Sequence, residues 1–180
     1  MRVANRAGTK SPRARLGARF VGLGLTTALA VGLAAGPASA QAGPPSEAGV
    51  QPLEFLGTPD LVCPPGEMVT GLSVPPEDLT FPVNIPNDGS GVVTVDVTDT
   101  AQGEIFSFSI EGDIAATQVT AVGGTNANVY MYNATTGFPG GIAADAQLHA
   151  PLGQGPDGSQ YEDLIRIDFC FKPSPYNGNG

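Results

Sequence analysis

One histidine, His149, in Leu148-His149-Ala150-Pro151, is all the imidazole this chain offers to acid–base or nucleophilic chemistry. A Ser–His–acid set needs that ring beside a hydroxyl on an elbow or loop, and the sequence contains no G-x-S-x-G. Ser107 and Ser109 alternate with Phe106, Phe108 and Ile110, which makes them the outer face of a strand. His149 therefore reads as a lone polar loop residue, and an extracellular hydrolase is the weakest of the functions considered. Carboxylates pair at Glu111/Asp113, Asp96/Asp99 and Glu162/Asp163. Glycoside hydrolysis requires two carboxyls at a set separation across a cleft, which spacing along a chain does not supply. The chain also has no Trp to stack a sugar.

Tyr130 and Tyr132 lie on one side of Asn128–Asn133 and, with Tyr161, could form an aromatic ligand face near His149. Asn87-Asp88-Gly89-Ser90 and Gly155–Ser159 put hard oxygens on Gly-rich loops, which suits Ca²⁺. Neither has the EF-hand spacing, and ordinary turns share this composition, so no metal ligand is assigned and Ca²⁺ stays an optional cofactor. Asn133-Ala134-Thr135 matches the N-glycosylation acceptor pattern.

The elements that would position these residues follow a leader. Met1–Arg19 is basic and without acids, Phe20–Ala35 is apolar and uncharged, and Pro37-Ala38-Ser39-Ala40 ends in A-x-A. This is the pattern of a secretory signal peptide over 1–40 cut at Ala40/Gln41. The apolar run is shorter than the ~20 residues of a spanning helix. The cut leaves Arg166 and Lys172 against 17 acids, a net charge of −15 where the whole chain carries −9. So acidic a chain repels nucleic acid and anionic membranes, and no membrane insertion is expected after the leader is removed.

Residues 41–52 are small, polar and Pro-rich and read as a flexible lead. Short apolar runs follow at Leu53–Leu56, Met68–Val74 and Leu79–Ile85, the last an edge strand because Pro82 has no amide donor. Val92–Thr98 turns Val93, Val95 and Val97 inward, and Glu104–Glu111 does so with Phe106, Phe108 and Ile110; their short link makes an antiparallel pair. Asp113–Val122 is ambiguous, with a start that could be one helical turn. Residues 134–158 exceed ordinary loop length, so they hold either a functional loop or a short element. In Leu164–Phe171, strict alternation turns Ile165, Ile167, Phe169 and Phe171 inward and Cys170 outward. Residues 174–180 read as a disordered tail.

Two cysteines in a secreted chain argue for a Cys63–Cys170 disulfide, since one His and no C-x-x-C make a poor metal site. The expected architecture is a single-domain, all-β antiparallel β-sandwich over 53–173.

The chain resembles a group of secreted bacterial proteins of uncharacterised function, common in actinobacteria. Gly123-Gly124-Thr125-Asn126-Ala127-Asn128-Val129-Tyr130 is close to the group's K-G-G-x-x-A-N-V-Y, Leu148–Pro151 matches its L-H-x-P, and Asp163–Pro173 matches its strand ending in F-C-[YF]-K-P. Cys63-Pro64 fits an upstream C-P. Val122 replaces the group's Lys, and Ile165-Arg166 stands where S-H is common. The resemblance implies an extracellular β-rich domain, sometimes found with surface anchors. The functional expectation is a non-enzymatic extracellular or cell-surface domain of structural or adhesive type. A carbohydrate or small-ligand module is the alternative, and a cell-surface or glycan partner would suit either.

Overall fold

The computed structural model describes residues 42–65, 70–153 and 159–174. The chain is all-β. Its strands are β1 (Leu53–Leu56), β2 (Thr70–Val74), β3 (Leu79–Ile85), β4 (Gly89–Thr100), β5 (Gly103–Gly112), β6 (Ile114–Gly123), β7 (Asn126–Met131), β8 (Ala144–His149) and β9 (Leu164–Pro173). They form two antiparallel sheets, ordered β1-β7-β6-β9-β2 and β3-β4-β5-β8. Phe81 and Phe108 of the second sheet meet Phe169 of the first edge-on, at centroid distances of 6.3 and 5.4 Å. Val93, Val95, Phe106, Ile167 and Phe171 fill the core between the sheets. The leader and its cut at Ala40/Gln41 lie outside the described residues, as do 66–69, 154–158 and 175–180. Among the described residues no helix is long and apolar enough to cross a membrane.

The alternating runs become the expected strands. β4 and β5 pair in register from Gly91↔Gly112 to Thr100↔Gly103, and their alternate Val and Phe side chains point into the core. β3 takes the edge beside β4, where Pro82 has no ladder partner to disappoint.

Four expectations need correction. The ambiguous Asp113–Val122 stretch holds no helical turn, because β6 is a strand from Ile114 onward. It lies at the centre of the five-stranded sheet and is covered on both faces, so it reads as a continuous apolar run with no clear period. The long 134–158 segment contains a 3₁₀ turn at Ala134–Thr136, capped by the Asn133 side chain, and then the whole of β8.

In β9 the register shifts where Val122 pairs with Arg166 and Gly123 with Leu164. The extra residue, Ile165, is thrown out to 55% exposure, and Leu164 takes the inward place. The fourth correction concerns the lead. Ala42–Pro52 is a packed strap, not a flexible segment. A tight turn closes it, Ser46 N–H donating to Val50 O at 3.0 Å and Gly49 N–H to Ser46 O at 2.9 Å. That turn delivers Val50, 2% exposed, into the core. A single well-placed valine anchors a stretch whose composition otherwise looks unstructured.

Cys63 and Cys170 are joined by a disulfide, with 107 residues between them. Below the β9 shift, alternation holds: Ile167, Phe169 and Phe171 belong to the core cluster, and Cys170 takes the opposite face. The bond pins Gly57–Pro65 over that outer face. Arg166 grips both carboxylate oxygens of Asp168, at 2.9 and 3.0 Å, and also donates to Pro59 O. Gln118 donates to Val62 O at 3.2 Å. A Cβ at Gly71 would lie 2.9 Å from Leu61 and 3.0 Å from the Cys63 sulfur, so only glycine lets the segment pass this close. Hence Asp168 and Cys170 are buried although they face away from the core.

Candidate functional site

The residues singled out for chemistry do converge, but inside the protein. Asn128 and Tyr130 lie on the inward face of β7, and Tyr132 just follows it; Asp145 and His149 lie on β8. All five are buried, Tyr130 and His149 completely. The expected exposed ligand face of Tyr130, Tyr132 and His149 therefore does not exist. The rings point between the sheets because β8 is the edge of its sheet and β7 of the other sheet faces it across the seam. His149 is likewise no loop residue: it ends a strand.

The local backbone explains the gathering. Gln147 has a φ of 58°, and the β5–β8 register shifts between Phe106 and Phe108. This break rotates β8, so that successive residues Leu148 and His149 are both buried. The edge groups it frees are taken by side chains. Tyr130 Oη accepts from His149 N–H at 3.0 Å and donates to His149 O at 3.2 Å. Asn128 Nδ2 donates to the same carbonyl at 3.0 Å. Tyr132 Oη donates to Asp145 Oδ2 at 2.7 Å, while Asp145 Oδ1 accepts from Ala48 N–H at 2.9 Å and from its neighbour Ala146 N–H at 2.8 Å.

The strap closes the seam. Glu47 N–H donates to Ala146 O at 2.9 Å, continuing the edge of β8, and Asn128 Nδ2 donates to Ala42 O at 2.7 Å. The free edge of β8 is thus covered by the chain's own backbone. Gly43 lies flat on His149: a Cβ there would come within 2.5 Å of the ring. On the other side Tyr161 stacks on the imidazole, centroids 4.0 Å apart and planes 14° from parallel. His149 Nδ1 faces Ala150 O at 2.7 Å, and Nε2 faces Pro44 O at 3.1 Å.

Burial sets the protonation states. It pushes the Tyr130 and Tyr132 phenols well above the usual range, and the Asp145 carboxylate adds to the effect at Tyr132. Tyr161 is raised by burial too. Burial holds His149 below the ordinary imidazole value, although the Ala150 and Pro44 carbonyls pull it partly back. The ring is neutral in the fold, and protonation favours the unfolded chain. Stability from this source is complete above about pH 6.5 and is lost as pH falls from there toward the folded value. The melting temperature of the native protein should fall more steeply between pH 6.5 and 5 than that of a His149→Gln variant. Identical slopes would contradict this.

The remaining sequence candidates scatter. Asn87-Asp88-Gly89 is the β3–β4 hairpin turn, with Asn87 at φ 67° and Asp88 N–H donating to Ile85 O at 3.0 Å. Most of Gly155–Ser159 lies outside the described residues. Among the described residues no three of His, Cys, Asp or Glu gather into a metal-holding group. An open groove of about 1000 Å³ lies elsewhere, its lining including Ala115, Phe138, Ile142, Asp88 and Lys172. Lys172 Nζ donates to Pro139 O at 2.8 Å along its wall.

Sequence reasoning passed over Asp145, Asn128 and the strap. The usable signal for Asp145 was an acid inside Ala144–His149, two residues before apolar Gln147-Leu148 turns inward; for the strap it was Val50 alone. Comparison with known proteins adds no name to this geometry: no family model matches the chain, and no curated protein or solved structure is similar to it.

Proposed function

We propose that the chain is a secreted, non-enzymatic extracellular or cell-surface domain of structural or adhesive type, released by cleavage at Ala40/Gln41. One observation carries this reading. The residues with catalytic potential are spent on the scaffold: both His149 ring nitrogens face main-chain carbonyls, and the strap seals them in. The disulfide supports an oxidising destination. What the protein presents outward is different in kind. The edge strand β1 exposes Leu53 and Leu56 at 63% and 73% and Phe55 at 51%, apolar surface of the sort that serves contact rather than chemistry.

The test is adsorption of the labelled mature protein to cell envelopes, beside a triple variant Leu53→Ser, Phe55→Ser, Leu56→Ser. The wild type should bind and the variant should lose most binding at unchanged fold. Equal retention of both, or none by either, would sink the adhesive reading.

The small-ligand alternative moves from the buried tyrosines to the groove, where Phe138 and Lys172 offer an apolar wall and a cation. A glycan array run with and without Ca²⁺ decides it: no binding and no change in melting temperature ends this alternative.

A further inference from the structure

The seam contains one unpaired polar atom, and its position bears on processing. Asn128 is completely buried. Its Nδ2 has more acceptors than hydrogens: Ala42 O at 2.7 Å, His149 O at 3.0 Å and His149 Nδ1 at 3.3 Å. Turning the amide over would set its oxygen against two carbonyl oxygens, so the neighbours dictate this orientation. Oδ1 then has no donor at all, although the chain still carries its leader. A buried acceptor without a donor is costly, and native proteins rarely tolerate one. Ala42, whose carbonyl Asn128 holds, is one residue from Gln41; Gln41 itself lies outside the described residues.

We infer that the amino group freed by cleavage after Ala40 docks on Asn128 Oδ1, so that removal of the leader completes the seam. This rests on the processing reading above. A free amino group brings several donors and a positive charge, where an internal peptide has one N–H aimed by the chain path. It also needs no exit route for preceding residues from a fully buried position. The titratable groups around Asn128 suit a cation: His149 neutral against its amide, Tyr130 beside it on β7, and Glu54 opposite it on β1.

The experiment compares two forms of the mature protein. One begins at residue 41 with Gln41→Ala, which prevents cyclisation of the terminal glutamine; the other carries a Gly-Ser-Ala extension ahead of it. The free-terminus form should melt about 4 °C or more above the extended form at pH 7. The gap should shrink as pH rises past about 8–9, where a free amine loses its proton, and should vanish in an Asn128→Ser background. If that background fails to fold, the pH arm alone decides. Equal melting temperatures, or a gap that ignores pH, would overturn the docking. Mass spectrometry of the secreted chain separates the two layers: a terminus other than residue 41 refutes the processing reading, whereas equal melting of the paired forms refutes docking alone.

Discussion

Replacing Cys63 and Cys170 with serine should cost about 4–5 kcal/mol of stability, the largest effect expected from any change outside the core. The bond spans 107 residues, almost the whole described fold, and loop-closure entropy grows with the length enclosed. For a chain of this size the melting temperature should drop by roughly 10–20 °C. The loss is not global in character. The segment from Gly57 to Pro65 is tied down by Arg166 to Pro59 O, Gln118 to Val62 O and the disulfide. Without the bond this cover should open first and bring Asp168, now 1% exposed, into contact with water. Hydrogen exchange of the double variant should therefore show early loss of protection in β2 and the β9 residues facing it. A shift under about 3 °C, or uniform loss across both sheets, would contradict the clasp.

The second large effect is expected from deleting residues 41–50. The truncated protein loses Val50 from the core, worth about 1.5 kcal/mol or more, and the Ala48 N–H bond to the Asp145 carboxylate, worth about 1.5–3 kcal/mol. Ordering so short a strap costs conformational entropy that offsets part of this, leaving a net loss of about 2 kcal/mol. Chemical denaturation should show the midpoint falling with little change in slope. Val50→Ala isolates the anchor and should lose about half as much. An unchanged midpoint for the truncation would mean the strap rides on the fold without supporting it.

These two segments also mark where the sequence was and was not readable. β4, β5 and the Pro82 edge of β3 were legible because each has one buried and one wet face, which imprints a period of two. β6 was not, because burial on both faces erases the period. The Ile165 bulge was invisible for another reason: an extra residue in one strand depends on its partner's path, which alternation within the strand cannot report. The site followed the same logic. His149, Tyr130 and Tyr132 stood out by residue type, and their convergence is real. Their burial was not readable, because it depends on a strap whose sole apolar anchor is Val50, and on a rotation of β8 at Gln147 that places two successive side chains inside.

The central claim is that this seam is a sealed scaffold. The ring of His149 tests it most directly, through ¹⁵N chemical shifts of the imidazole followed from pH 8 to pH 5 in the native mature protein. The ring should hold one neutral tautomer well below pH 6.5, with its N–H slow to exchange with solvent. A ring that titrates near 6.5 as a free imidazole does, with rapid N–H exchange, would show the strap open and the seam accessible.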